Sequence, residues 1–147
     1  MSNQNEVGPR SARVFRNYEL AKISATTLNN ASAGVIALPI LSGGLTKGGN
    51  VATSGQVLVR ELLVCNPSGS LASANISIGY SSDGSNLVVA NTVISNVSAV
   101  GTFQEVVNSP PIVVSGYNSQ CLYVNVNTAS GNANTCDIII YGTVVTF

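Results

Sequence analysis

The residue types that carry most enzyme chemistry are scarce in this sequence. There is no histidine, so no imidazole can act as a general base, and the commonest metal ligand is missing. The serines of Gly79-Tyr80-Ser81-Ser82-Asp83 lack the closing glycine of a nucleophile elbow, and no histidine exists to activate them. This stretch therefore predicts a hairpin turn and not a hydrolase site.

The sequence also lacks the patterns of a phosphate-binding loop, a catalytic carboxylate pair and a calcium site. The segment Gly43–Gly49 is glycine-rich, but it lacks the order G-x-x-x-x-G-K-[ST] of a phosphate loop. Nothing in the spacing of Glu61, Asp83, Glu105 and Asp137 pairs two carboxylates across a cleft. One Asp-Gly does not supply the clustered oxygen ligands of a calcium loop. We therefore expect no enzyme, no cofactor, no metal site and no small-molecule substrate.

The cysteines and the N-terminus indicate where the protein is made. Cys65, Cys121 and Cys136 are odd in number and form no C-x-x-C pair, so we expect reduced, partly buried thiols and no zinc site. The first fifteen residues contain no apolar signal-peptide core, and no apolar run approaches the ~20 residues of a membrane span. We expect synthesis in a cytoplasm and no membrane partner.

The charges are few and unevenly distributed. Only 8% of residues are charged and the formal net charge is zero, whereas ordinary soluble domains carry roughly 25% charged residues. Such a balance argues against a dedicated nucleic-acid binder, which normally presents a basic face. Arg10, Arg13 and Arg16 recur every three residues near the N-terminus. They belong either to a solvated tail or to an arm that orders against a neighbouring subunit or an acidic surface.

The rest of the sequence is typical of consecutive β-strands. Valine and isoleucine dominate the apolar residues, alternate with polar ones, and are interrupted by turn-forming clusters every eight to twelve residues. A short strand is also expected near Leu20–Thr26, and Ser42–Ser54 is expected to be irregular. The main predicted strands are Ala33–Leu41, Gln56–Asn66, Ser73–Tyr80, Asn86–Ile94, Thr102–Val107, Pro111–Val114, Gln120–Asn127 and Thr135–Phe147.

Two hairpins are predicted from this pattern. Asp83-Gly84 lies between two alternating runs and indicates a type I′ turn, with Ile78 opposite Val89 and Tyr80 opposite Leu87. A second hairpin is predicted around Gly131. It places Leu122, Val124 and Val126 opposite Ile140, Ile138 and Cys136 on the inner face, and Cys121 opposite Tyr141 on the outer face.

The outer face of the second predicted hairpin is unusually apolar. It carries Tyr123, Ile139 and Tyr141, so we expect it to be covered by the N-terminal segment, the glycine-rich loop or another chain. With so few charges to keep molecules apart, self-assembly is expected, the alternative being a neutral monomer kept soluble by its Ser, Thr and Asn side chains. Arg10, Arg13, Arg16, Tyr123, Ile139 and Tyr141 are the candidate partner contacts.

These patterns predict an all-β protein with one antiparallel β-sandwich domain. Residues 1–28 are expected to form a polar, weakly basic, extended N-terminal arm, and residues 29–147 the sandwich. The alternation does not decide between a jelly-roll and an Ig-like topology, since both satisfy it.

Residues 73–95 (SANISIGYSSDGSNLVVANTVIS) and 121–147 (CLYVNVNTASGNANTCDIIIYGTVVTF) resemble small β-sandwich virion proteins of tailed bacteriophages. The type they resemble most is the capsid decoration, or cement, protein. The resemblance covers residues 30–147 and lies in their general composition, rich in Ser, Thr, Asn and Val, and not in a diagnostic motif. It implies a non-enzymatic virion protein that stabilises the phage head by bridging capsomers. The partners it implies are further copies of the protein, in a dimer or trimer, and the major capsid protein.

Two other functions remain open. One is a receptor- or carbohydrate-binding tail component whose loops Ser42–Ser54 and Thr128–Asn134 contact glycans. The other is a small jelly-roll coat protein that forms a shell and turns Arg10, Arg13 and Arg16 towards nucleic acid, although three arginines per subunit are few for packaging a genome.

Overall fold

The computed structural model describes residues 13–29, 36–39, 55–115 and 121–146. In these residues the chain forms two antiparallel four-stranded sheets, so the predicted all-β sandwich is confirmed. Within the described part of the chain, no helix is long and apolar enough to span a membrane. The strands are β1 (Arg13–Thr27), β2 (Ile36–Pro39), β3 (Gly55–Cys65), β4 (Asn75–Gly79), β5 (Leu87–Val93), β6 (Gln104–Ser115), β7 (Cys121–Thr128) and β8 (Thr135–Thr146).

The strand order decides between the two topologies. Sheet A has the order β1-β8-β3-β6 and sheet B the order β2-β7-β4-β5. The antiparallel pairs include β1·β8, β2·β7, β3·β6 and β4·β5. They are the pairs of one long hairpin whose turn is the β4–β5 connection and which is rolled up so that its strands divide between two sheets. Eight strands connected in this way form a jelly roll, so the Ig-like alternative is wrong.

The core lies between the two sheets. The alternation of apolar residues places one face of each strand inward, and the inward side chains of both sheets are almost fully buried. Sheet A contributes β3 and β8 and sheet B contributes β4 and β7, and buried side chains of the described connections add to the core. The central core side chains are Val57, Val59, Leu62, Val64, Ile76, Ile78, Leu122, Val124, Ile138 and Ile140.

The β4–β5 hairpin is confirmed, and Ile78 pairs with Val89 as predicted. On either side the register shifts, so that Gly79 and not Tyr80 lies opposite Leu87. The predicted type I′ turn is wrong, because Gly84 has a φ of 83° whereas Asp83 is not among the positive-φ residues. The Asp83 carboxylate instead accepts the N–H of Ser85 at 2.9 Å and closes the turn locally.

The predicted hairpin between β7 and β8 is wrong. β7 pairs with β2 and β4 in sheet B, whereas β8 lies between β1 and β3 in sheet A. The connection around Gly131 therefore crosses from one sheet to the other. Leu122 and Ile140 are both buried as expected, but they lie in opposite sheets, and Cys121 is opposite Pro39 and not Tyr141.

Two strand boundaries also differ from the prediction. Thr102–Val107 and Pro111–Val114 belong to the single strand β6, whose register against β3 shifts opposite Arg60. β1 is much longer than Leu20–Thr26 and pairs with β8 from Arg13 onwards. Residues 13–27 of the predicted arm thus form an edge strand of sheet A, while residues 1–12 and the loop Ser42–Ser54 lie outside the described residues.

Candidate interaction surfaces

The serine and aspartate side chains considered above for catalysis form hydrogen bonds within a turn. Among the described residues, no three His, Cys, Asp or Glu side chains lie close enough together to hold a metal ion. The Ser85 hydroxyl and N–H donate to the Asp83 carboxylate and lower its pKa. Asn86 Nδ2 donates to Ser81 Oγ at 2.7 Å. The segment Gly79–Asp83 is therefore part of a hairpin turn, as predicted.

The outward-facing side of sheet A combines carboxylates with apolar side chains. Residues directly opposite each other on antiparallel strands point to the same side, so the strand pairing assigns this face. Two adjacent rows cross the four strands here. They are Lys22–Ile139–Leu63–Glu105 and Glu19–Tyr141–Glu61–Val107, and Asp137 and Cys65 form a third pair beside them. These ten residues are called the outer sheet face below.

Three of the predicted partner contacts are divided between the two sheets. Ile139 and Tyr141 lie on the outer sheet face, but Tyr123 lies on β7 of sheet B, opposite Ala37 and Gly79. Ile139 is only 7% exposed, and its neighbours in the sheet include Lys22 and Leu63. Their role as partner contacts stays a prediction, but the three residues do not form one surface.

Tyr141 is half-buried between two carboxylates. Burial raises the pKa of its hydroxyl, and the negative charges of Glu19 and Glu61 in the same row raise it further. The ring thus remains a neutral, partly apolar surface flanked by acids. Such a setting suits a cation that can lie over an aromatic ring and bind a carboxylate at the same time.

Of the three predicted arginine contacts, two lie in β1. Arg13 pairs with Thr146 at the start of β1, Arg16 follows three residues later, and Arg10 lies outside the described residues. Residues 13–16 therefore begin β1, whereas Glu19 and Lys22, opposite Tyr141 and Ile139, lie further along the strand. Arg13 is thus separated along sheet A from the two rows that carry the carboxylates.

Asp137 connects three segments at the edge of the outer sheet face. Its Oδ1 accepts the N–H of Ala25 and its Oδ2 accepts Asn66 Nδ2, both at 2.8 Å. The Asn66 amide and the Ala25 N–H lower the pKa of this carboxyl. Its two oxygens are occupied by these internal bonds, so Asp137 mainly stabilises the fold.

Two thiols differ strongly in burial. Cys136 is fully buried among the core residues, as its inward position predicts, and burial raises its pKa to about 12. Cys65 is half-buried on the outer sheet face, where burial and the nearby Asp137 carboxylate raise its pKa. Neither thiol is activated as a nucleophile, since activation requires a lowered pKa.

Exposed apolar side chains are concentrated at one edge of the sandwich. All seven exposed large hydrophobic residues among the described side chains lie on β5, β6 or the connection between them, at the β6 edge of sheet A and the β5 edge of sheet B. Between residues 87 and 113 the only charged residue is Glu105. We call this set the apolar edge; it consists of Leu87, Val93, Val100, Phe103, Val107, Ile112 and Val113.

A cleft joins the apolar edge to the outer sheet face. It encloses about 310 Å³, and its lining includes Leu63, Cys65, Phe103 and Glu105. Val107 is 65% exposed and belongs to both surfaces, because it pairs with Glu61 in β3. The two surfaces are therefore continuous across β6.

The outward side of sheet B has a different character. Ser77 and Asn125 are paired across β4 and β7 and are nearly buried, and Asn127 Nδ2 donates to Asn91 Oδ1 at 2.6 Å from β7 to β5. The side-chain oxygens of Asn75 and Asn125 are buried without a hydrogen-bond partner. Among the described residues, the centre of this face is polar, and its exposed apolar residues, Leu87 and Val93, lie at the β5 edge.

The loop Thr128–Asn134, considered above for glycan binding, uses much of its polar surface internally. The Ser130 N–H donates to Leu28 O at 2.8 Å, and Ser130 is nearly buried. Asn132 and Asn134 both donate their side-chain amides to Ser70 O. Groups already committed in this way are poor sites for a sugar hydroxyl.

Comparison with known proteins gives little guidance. No family model and no curated protein matches the chain. Among solved structures, the virus-like particle of the extra small virus of the giant freshwater prawn Macrobrachium rosenbergii is similar at a TM-score of 0.45 and 8% identity, over 100% of this chain and 87% of that one. A similarity of this size does not define a family, so function is argued from the surfaces themselves.

Proposed function

We propose that this protein is a non-enzymatic structural subunit of a virus particle that associates with copies of itself. Within that class we propose a capsid decoration protein of a tailed bacteriophage, which bridges capsomers and has the major capsid protein as a second partner. The virion is then its location, and synthesis takes place in the host cytoplasm.

The apolar edge carries this proposal. Single exposed hydrophobic residues are ordinary on protein surfaces, but the concentration of all seven at one edge of the sandwich indicates an interaction site. Val107 is 65% exposed on the edge strand β6, where unpaired backbone groups also favour contact with another chain, and Phe103, just before that strand, is 58% exposed. A partner that covers this edge would bury the exposed apolar side chains and bind the unpaired backbone groups.

Composition and fold support the same proposal. Because only 8% of the residues are charged and the net charge is zero, little electrostatic repulsion keeps copies apart. Jelly rolls occur in viral capsid proteins and also in lectins, so the fold alone does not choose between these functions. The internal bonding of Asn132 and Asn134 favours the structural role over glycan binding by this loop.

The test compares two variants that add the same charge. Val107→Asp places a carboxylate in the middle of the apolar edge, whereas Ala133→Asp places one at an exposed position in the β7–β8 connection. Light scattering of the purified full chain should show an oligomer for the wild type and for Ala133→Asp, and loss of that oligomer for Val107→Asp. Circular dichroism checks that the variants keep the wild-type fold, since both positions are exposed. Because the Val107→Asp carboxylate lies opposite Glu61, the uncharged variant Val107→Asn is measured beside it and should also weaken the oligomer.

The outcomes separate the functions. A small discrete oligomer that binds preformed capsids supports decoration, and closed shells would show a coat protein instead. A wild-type monomer at high concentration, or equal masses for the two variants, would overturn self-association through the apolar edge. Binding of a monomer to a glycan array would support the tail component.

A further inference from the structure

The outer sheet face gathers most of the acidic residues of the chain. Glu19, Glu61, Glu105 and Asp137 are four of the six acidic residues, and Lys22 lies among them. Arg60 adds a second cation, but its Nε donates to Thr143 Oγ1 at 2.7 Å and not to a carboxylate. Four carboxylates against two cations leave this face with a formal net charge of −2.

The first sixteen residues carry the opposite charge. Arg10, Arg13 and Arg16 against Glu6 give them a formal net charge of +2. The two regions therefore match in magnitude and differ in sign. Because the chain has only twelve charged residues, these two regions of opposite sign contain most of its charge.

The chain cannot easily bring Arg10 and Arg13 to its own outer sheet face. Arg13 is held opposite Thr146, and Glu19 is opposite Tyr141. Six residues of strand separate these positions by about 20 Å, at ~3.3 Å per residue. Three further residues extend the reach of Arg10 by only about 10 Å. Arg16 is about 10 Å from Glu19 in its own chain, so the argument concerns Arg10 and Arg13.

We propose that the basic segment containing Arg10 and Arg13 of one copy binds the outer sheet face of a second copy. This proposal rests on the self-association proposed above and specifies which surfaces meet. Each copy carries the basic segment at one end of β1 and the acidic face towards the other end. Two copies related by a twofold axis can therefore form the same contact twice.

The chemistry of the outer sheet face suits arginine. Tyr141 is flanked by Glu19 and Glu61, so a guanidinium can lie over the ring and donate to a carboxylate. Leu63 and the cleft beside it offer apolar surface for the arginine stem. The face is also continuous with the apolar edge through Val107, so one neighbouring copy can cover both surfaces.

A charge-exchange experiment tests this contact. Variant one carries Arg10→Glu and Arg13→Glu, and variant two carries Glu61→Lys and Glu105→Lys. Each variant alone opposes like charges at both contacts, so its dimer should dissociate about tenfold or more readily than the wild type. An equimolar mixture restores opposite charges at both contacts and should recover dimers that contain one copy of each.

Analytical ultracentrifugation of the full-length chains measures these dissociation constants, and Asp83→Lys is the control, because Asp83 lies in the β4–β5 turn away from this face. Loss of dimers in each variant with recovery in the mixture supports the contact, because a folding defect would not be rescued by mixing. If the wild type associates and neither variant changes its dissociation constant, the contact proposed here is wrong while self-association stands. If the variants dissociate but the mixture does not recover, the contact is also wrong. A wild-type monomer would overturn both proposals.

Discussion

The carboxylate of Asp137 joins three segments that are far apart in sequence, and replacing it tests the described fold. It accepts hydrogen bonds from Ala25 N and Asn66 Nδ2, both at 2.8 Å. Both partners have positive φ angles, 51° for Ala25 and 49° for Asn66. A non-glycine residue in this region costs roughly 1 kcal/mol or more, so the two bonds hold backbone that would otherwise relax.

The expected effect of Asp137→Asn follows from these contacts. Asparagine keeps one acceptor oxygen and presents an NH₂ group to the other donor, so one of the two bonds is lost. A hydrogen bond to a charged group contributes about 1.5–3 kcal/mol, and solvent screening at this partly exposed site reduces the loss to about 1 kcal/mol. For a chain of this length that corresponds to a fall in Tm of about 2–4 °C.

The pH dependence gives a sharper test. Because the hydrogen bonds lower the pKa of Asp137 in the folded state, its contribution is present above the unfolded value of 3.8 and is lost as the pH falls through the folded pKa. Urea unfolding should therefore show a difference between wild type and Asp137→Asn at pH 7 that shrinks well below pH 3.8. Asp83→Asn is the control, since the hydrogen bonds of Asp83 lie within its own exposed turn and its effect should be smaller.

Two results would refute this reasoning. Equal unfolding free energies for wild type and Asp137→Asn at pH 7 would show that the carboxylate does not hold the two segments. A difference that persists unchanged in strong acid would show that the effect does not depend on the ionised carboxylate.

Three further substitutions or modifications have definite expected results. Gly142→Ala should lower the unfolding free energy by about 3 kcal/mol or prevent folding, because its Cβ would overlap the backbone carbonyl of Leu58; chemical denaturation measures this. Asn108→Ala should cost about 1–2 kcal/mol in the same assay, because Nδ2 donates from β6 to Val88 O on β5 at 2.9 Å and so joins the two sheets. Cys136 should resist alkylation at pH 8 until the protein unfolds, since burial raises its pKa to about 12. Mass spectrometry of the labelled peptides measures this rate, and a native Cys136 that reacts as fast as an exposed thiol would contradict the expectation.

Local sequence signals predicted part of this fold. The rest depends on pairing between strands that are distant in sequence, which these signals do not specify. The Asp83-Gly84 turn was predictable because β4 and β5 are consecutive strands that pair in one sheet, which no other consecutive pair among the described strands does. The same kind of signal around Gly131 misled, since Leu122 and Ile140 alternate correctly for either a hairpin or a crossing between sheets. Alternation specifies which residues face the core, but it does not specify the sheet to which a strand belongs.

The candidate surfaces were predictable only in outline. The excess of outward apolar residues near Ile139 and Tyr141 indicated a surface to be covered, but Tyr123 was assigned to it through the wrong hairpin. Grouping Glu61 and Glu105 on one face required the β3–β6 pairing, which joins residues about forty positions apart. The apolar edge had a local signal that went unused, because residues 87–113 contain a single charge.

The solution mass of the wild-type full chain tests the central claim most directly. Light scattering over a range of concentrations at low salt should give a multiple of the 15.0 kDa chain mass, and Val107→Asp should reduce it towards 15.0 kDa. A wild-type mass of 15.0 kDa that stays constant up to high concentration would contradict self-association and, with it, the proposed structural role.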